Sequence, residues 1–228
     1  MSDFKQQAAR EAAKLVQPGN TIGLGAGSTM GHLISAIKEQ PHLATSIKAA
    51  SSSFATRQRL LQDGFSVLDS GWIAHLDWYF DGCDQFDRRL NALKSGGGVH
   101  VAEKVLAAMA GQFVLVGDDA KRVHRFTANY PLVIEVIPEA LAYVSDRVKK
   151  FFNPSKCELR LSDKKDGAVI TERGNFLIDL WFEVFPEPGI LNERVLAIPG
   201  ILDHSLFYNM SHRAITAGPG GIQIYKPA

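Results

Sequence analysis

Between Phe80 and Glu103 the chain gathers side chains suited to moving protons: Asp81, Asp84, Lys94 and Glu103, separated by Gly82 and by the triplet Gly96, Gly97 and Gly98. The span follows an apolar run, Leu76 to Phe80, that reads as a buried strand. In an open α/β sheet, ligands bind in the crevice outside the carboxyl ends of the strands, so acids placed there face a pocket. Glycines just after a lysine let backbone N–H groups close on an anion while the ammonium supplies a full positive charge. A plainer reading fits the same letters. Asp81-Gly82 is a turn signal, Asp84 to Arg89 suits a solvated loop, and a carboxylate at Glu103 in the first turn of a helix gains about 0.3–1 kcal/mol from the dipole. The glycine run beside Lys94 favours the site.

A second candidate lies upstream. Thr21 to Leu24 reads as a strand running into Gly25-Ala26-Gly27-Ser28-Thr29, after which Leu33, Ile34 and Ile37 mark a helix to about Gln40. A strand, a glycine-rich turn with hydroxyls and a helix start converge amide N–H groups and a helix dipole on one spot, which suits a phosphate; a plain βα turn with a hydroxyl cap is the alternative. The turn lacks the third glycine of a dinucleotide fingerprint, and SIKAASSS stands where an acid would end the second strand. A terminal phosphate on a small molecule therefore fits better than a nucleotide. Lys121, after Gly117-Asp118-Asp119-Ala120, is another cation at a strand's carboxyl end.

These groups need a frame, and the period of the apolar residues supplies one. Ser2 or Asp3 caps a helix through Val16, ended by Pro18-Gly19. Strands at 47–50, 65–68, 76–80 and 113–116 alternate with helices at 54–62 and from about Val99 to Ala110, which predicts a Rossmann-like parallel sheet with helices on both faces. From Tyr130 the texture changes. Strand 132–137, a helix opened by Pro138, strand 156–161, a hairpin-like pair at 168–171 and 176–183, helix 190–197 and strand 201–208 give the β-α-β-β-α-β order of a smaller, ferredoxin-like α+β domain. A terminal hairpin, 214–217 with 222–225, returns to the first unit. The expected division is 1–128 with 209–228 as the α/β catalytic domain and 129–208 as the second.

Bulk properties remove other classes. The 228 residues are 46% apolar and 21% charged, with 25 basic against 24 acidic side chains, so no global field attracts nucleic acid or an anionic membrane. No apolar run is long enough to span a bilayer, and the N-terminal segment is broken by charges. Cys83 and Cys157 have no metal-ligand spacing and suit free thiols in a reducing, cytoplasmic setting. Cys83 is a reactive thiol or a small buried hydrophobe. His32, His100, His204 and His212 read as packing or surface groups, and no His, Asp or Glu cluster has metal-ligand spacing.

In order, GAGST at 25–29, SSS at 51–53, DGCD at 81–84, KSGGG at 94–98 with Glu103 nine residues past its lysine, DDAK at 118–121, PLVIEVIP at 131–138, GNFLID at 174–179, and IPG followed by DHSLF resemble ribose-5-phosphate isomerase of the A type. The resemblance spans nearly the whole chain. It implies cofactor-free interconversion of ribose 5-phosphate and ribulose 5-phosphate in the pentose phosphate pathway, by an oligomer that is commonly a homodimer. The family's proton-transferring base falls on Glu103, and its substrate loops on Ala26, Gly27, Ser28 and Thr29, on Asp81, Gly82, Cys83 and Asp84, on Lys94, Ser95, Gly96 and Gly97, and on Lys121.

On that footing Lys94 and the glycine N–H groups meet the developing oxyanion. Asp81, or else Asp84, serves ring opening and hydroxyl proton traffic, and Ser28, Thr29 and Lys121 grip the phosphate. The family usually has Thr at position 26 and Gly at 95. Ala26 therefore loses a hydrogen bond, and Ser95 is expected to add bulk beside the ligand. The rivals are an isomerase of another sugar phosphate, a non-catalytic sugar-phosphate sensor, and a nucleotide-binding oxidoreductase.

Overall fold

The computed structural model describes residues 3–228. Asp3 accepts from the Gln6 N–H and caps α1 (Phe4–Ala13), whose Ala8, Ala9 and Ala12 are fully buried; Ser2, the other expected cap, lies outside the described residues. β1 (Thr21–Leu24) leads into α2 (Ser28–Lys38), a short α3 (Pro41–Ser46), β2 (Lys48–Ser51), α4 (Phe54–Gln62) and β3 (Ser66–Val67). β4 (Leu76–Asp81) is followed by two strands of two residues each, β5 (Gln85–Phe86) and β6 (Ala92–Leu93), then α5 (His100–Met109) and β7 (Ala110–Asp118). The second half runs β8 (Leu132–Val136), α6 (Leu141–Phe152), β9 (Lys156–Leu159), β10 (Phe176–Trp181), α7 (Pro188–Leu196), β11 (Ile201–His204), β12 (Leu206–Phe207), β13 (Arg213–Gly218) and β14 (Gly221–Tyr225).

The main sheet has the order β14-β13-β7-β4-β1-β2-β3, parallel except for β14. Alternation along its strands separates two cores. Phe80, Val114, Val116 and Ile215 pack under α1 to α4, whereas Tyr79, Phe113, Leu115 and Ala214 pack under α5 with Phe86 and Phe207 of a small third sheet. Helices thus cover both faces, unequally. Successive connections leave β1 and β4 in opposite directions, so the crevice between their carboxyl ends is the topological switch point where α/β sheets place ligands.

β8 to β11 form an antiparallel sheet in the order β11-β8-β10-β9 over its own apolar core, the ferredoxin-like arrangement expected. Two expectations need correction. The pair at 168–171 and 176–183 reduces to single bridges, Leu161 to Ala168 and Ile170 to Phe176, because β10 takes β8 and β9 as its partners. The strand expected over 201–208 is two, parted at Ser205. Its N–H donates to Val133 O and its hydroxyl accepts from Val133 N, while β12 turns away to pair with β6. The three-stranded sheet β12-β6-β5 was not foreseen, and its central strand, β6, delivers Lys94 at its end.

Candidate active site

Asp81 ends β4 with no exposure to solvent. Its Oδ1 accepts from the N–H of Gly82 at 2.8 Å and of Ala26 at 3.3 Å; its Oδ2 accepts from Tyr79 Oη at 2.7 Å and lies 2.8 Å from Lys94 Nζ. The approach to β1 is so close that a Cβ on Gly25 would stand 1.9 Å from Asp81 Cγ. Gly25 is pinned from both ends, donating to Phe80 O and accepting from Thr56 Oγ1. Only a residue without a side chain fits there.

Lys94 leaves the end of β6, its own N–H donating to Ser205 O. Its ammonium donates to Gly82 O at 2.6 Å, pairs with Asp81, and lies 3.5 Å from Glu103 Oε1 and 5.7 Å from the centre of the Phe207 ring. Burial by itself would drive Lys94 toward neutrality, but the Asp81 and Glu103 charges outweigh it and hold the ammonium above the ordinary lysine range. Glu103 occupies the first turn of α5 and is buried. Desolvation first, then the Asp81 charge, push its carboxyl above the usual carboxylate range, while Lys94 pulls the other way.

A cavity of about 360 Å³ opens beside this trio. Lys94, Glu103 and Asp84 line it together with Gly96, Gly97 and Gly98, with the loop Ala26 to Thr29 and with Lys121. Gly82 and Cys83 complete it. Asp84 Oδ2 accepts from the Ser95 N–H, and Lys121 Nζ donates to Cys83 O. A larger hollow of about 500 Å³ between α2 and α4 shares Gly27 and Ser28 but has no carboxylate on its wall.

Two expected residues do not face the cavity. Asp81 stands behind it, sealed by its four donors. Ser95 turns its hydroxyl to Pro131 O at 2.6 Å, so it adds no bulk beside a ligand. Burial pushes the Cys83 thiol up to about 12, against the pull of Lys121 and Lys94, which leaves a neutral thiol packed with Tyr79 and Phe86. Of the histidines, His100 and His204 are buried, His32 pairs with Asp3, and His212 accepts from the Phe113 N–H. Among the described residues no three His, Cys, Asp or Glu side chains converge as a metal site requires, and no helix is long and apolar enough to cross a membrane.

One lining residue escaped sequence reasoning. Lys5, on α1, brings its ammonium within 3.5 Å of Ser28 Oγ on the cavity wall. Its only signal was a lysine on the first turn of an otherwise alanine-rich helix.

The family model of ribose 5-phosphate isomerase A (phosphoriboisomerase A) matches residues 48–221, which include Asp81, Asp84, Lys94, Glu103 and Lys121. The chain belongs to this family. A ribose-5-phosphate isomerase A from Trichormus variabilis is 35% identical over 208 residues, covering 90% of this chain and 87% of its own. Two solved structures share the whole architecture. One is a D-ribose-5-phosphate isomerase in complex with phospho-erythronic acid, with a TM-score of 0.90 and 30% identity over 97% of each chain. The other is ribose 5-phosphate isomerase A from Methanocaldococcus jannaschii, with a TM-score of 0.88 and 29% identity over 97% of each chain. Membership in the isomerase A family rests on sequence and fold together.

Because Gly25 has no room for a methyl group, Gly25→Ala should destabilise the chain by about 1–3 kcal/mol, the usual cost of overpacking, and displace Asp81. Urea unfolding measures the first effect and a lowered kcat in the folded fraction the second. A variant as stable and active as the parent would show that the contact is not as tight as described.

Proposed function

We propose that this chain interconverts D-ribose 5-phosphate and D-ribulose 5-phosphate through an enediolate, in the non-oxidative branch of the pentose phosphate pathway. The observation that carries the reading is the placement of Glu103, a buried carboxylate with a raised pKa, 3.5 Å from a lysine ammonium on the wall of a cavity that a phosphate-type loop also lines.

Glu103 takes the proton from C2 of the open-chain aldose and returns it to C1, so one carboxylate serves both halves of the exchange. The negative charge that grows on the carbonyl oxygen meets the Lys94 ammonium and the N–H groups of the glycine triplet. Ring opening and the hydroxyl proton shift fall to Asp84, which lines the cavity and has Oδ1 free of protein donors among the described residues. Asp81 holds Lys94 rather than touching the sugar. Ser28, Thr29, Lys5 and Lys121 grip the phosphate, whose remote binding energy orients the reacting carbons. The phospho-erythronic acid bound by the related isomerase carries a phosphate and a carboxylate, and both anionic ends match this cavity's cations.

The reading extends to a cytoplasmic homodimer. Phe54 and Leu61, seven residues apart on one face of α4, and Trp72, which is 90% exposed, offer apolar surface to a second copy, and free thiols at Cys83 and Cys157 suit a reducing compartment. A sugar-phosphate sensor on the same fold would bind without turnover. Incubation with ribose 5-phosphate, following ketose formation, separates the two: binding with no ketose would overturn the isomerase.

Glu103→Gln should leave the fold intact and lower kcat by several orders of magnitude. Near-normal turnover in that variant would remove Glu103 as the base. Lys94→Ala should lower kcat about 10²–10³-fold, the usual effect of deleting one oxyanion donor. It should also move the acidic limb of the pH profile. The base works ionised, and its pKa is raised in the fold, so activity in the parent rises with pH through a window above the ordinary Glu range of about 4.3. Lys94 opposes that rise, so its removal must shift the limb to still higher pH. A limb that stays in place or moves down would break the link between the two groups.

A further inference from the structure

The glycine triplet poses a mechanical problem. Residues without side chains have the widest choice of backbone conformations, yet Gly96 and Gly97 must present their N–H groups to one point. The cavity wall they form is exposed, and a Cβ on Gly96 would meet nothing within 4 Å, so packing does not hold it.

What holds it comes from the other sheet. Arg160 follows β9, and its guanidinium forks in two directions. Nε and Nη2 engage the Asp179 carboxylate on β10, at 3.0 Å and 2.6 Å. On the other side Nη2 donates to Ser95 O at 2.9 Å and Nη1 to Gly96 O at 2.7 Å. Leu177, also on β10, backs Gly98 so closely that a Cβ there would fall 2.6 Å from its Cδ1. In a trans peptide the C=O and the following N–H point in opposite directions. Turning Ser95 O and Gly96 O toward Arg160 therefore turns the N–H groups of Gly96 and Gly97 away from it. Neither N–H has an acceptor among the described residues. A cation on each carbonyl also polarises the peptide and makes its N–H a better donor.

We infer that Arg160, braced by Asp179, is a positioning residue that aims the Gly96 and Gly97 amides at the anionic part of the substrate. The inference rests on the isomerase reading for its kinetic consequence but not for its geometry. Lysine cannot replace the arginine, since one ammonium lacks the planar fork that reaches two carbonyls and a carboxylate together.

Arg160→Met, Arg160→Lys and Asp179→Asn test it, the last because it keeps the guanidinium and removes only its brace. In the unliganded protein, hydrogen exchange of the Ser95 amide, which donates to Asp84 Oδ2, should quicken at least tenfold in both Arg160 variants and less in Asp179→Asn, with exchange in β4 and α5 unchanged. In turnover of ribose 5-phosphate, kcat per folded molecule should fall about 10–100-fold in both Arg160 variants, as misplacement of binding groups by an ångström does. Asp179→Asn should fall between them and the parent. Parent-like exchange and kcat in a folded Arg160→Met chain would overturn the inference, as would full rescue by lysine. If the parent itself forms no ketose, the proposed function fails and the exchange arm alone decides the clamp.

Discussion

A lysine ammonium held between two carboxylates, nearly out of reach of water, is the constraint from which the site's other features follow. Removing one partner from a buried ion pair leaves a charge that costs several kcal/mol, so Asp81, Lys94 and Glu103 must arrive together. Lys94 has three N–H donors, and three acceptors face it: Asp81 Oδ2, Gly82 O and Glu103 Oε1. The first two are close, and the third is stretched to 3.5 Å. That asymmetry separates the two acids. Asp81 is saturated by four donors and has nothing left for a substrate, whereas Glu103 has no donor nearer than the lysine among the described residues and keeps its capacity to accept a proton. One carboxylate fixes the cation, and the other works against it.

The fold delivers these charges from three places that have little to do with one another in sequence. Asp81 arrives on a central strand at the switch point, Lys94 at the end of the middle strand of a minor sheet, and Glu103 at the start of a helix over the second face. What brings them into register is a set of close main-chain contacts: Gly25 against Asp81, Lys94 N–H on Ser205 O, and Ser95 N–H on Asp84. Each replaces a side-chain packing contact with a hydrogen bond or a missing Cβ, so the tolerance for substitution is small. Ser205 joins the two units further, since the same residue anchors β8 through Val133 and the lysine strand through Lys94.

How much of this could be read from the letters depended on the range of the interaction. β1, α4, β4 and α5 were legible because apolar period and capping residues are local, and the β-α-β-β-α-β order survived because each element is long enough to show its period. β5 and β6 were not, since a strand of two residues has no period: β6 pairs with β12, more than a hundred residues on, and β5 pairs with β6. Lys5 and Arg160 stayed hidden for the same reason. A lone lysine in a helix and a lone arginine after a strand carry no local mark, and their meaning comes from groups 23 and 65 positions away. Asp81 was legible as a site residue but not as a sealed one, because burial of a carboxylate depends on donors from β1 and β6 that its own segment does not contain.

Two of the departures from the usual family residues, Ser95 and Ala26, can now be weighed on geometry. Ser95 sends its hydroxyl to Pro131 O, so the side chain occupies space behind the loop, and its N–H and C=O do the work that glycine's would do there. That hydroxyl, moreover, ties the loop to the start of β8 and adds to the grip of Arg160. Ala26 engages Asp81 through its N–H, a contact indifferent to the side chain. A threonine hydroxyl at 26 would have given the cavity wall one more donor beside Ser28, Thr29, Lys5 and Lys121. On the proposed reading the phosphate grip therefore lacks one neutral donor and keeps two cations, Lys5 and Lys121, while Asp84, Lys94 and Glu103 are untouched. A weaker phosphate grip acts on every sugar phosphate alike, so on that reading discrimination among sugars falls to Asp84 and the glycine wall.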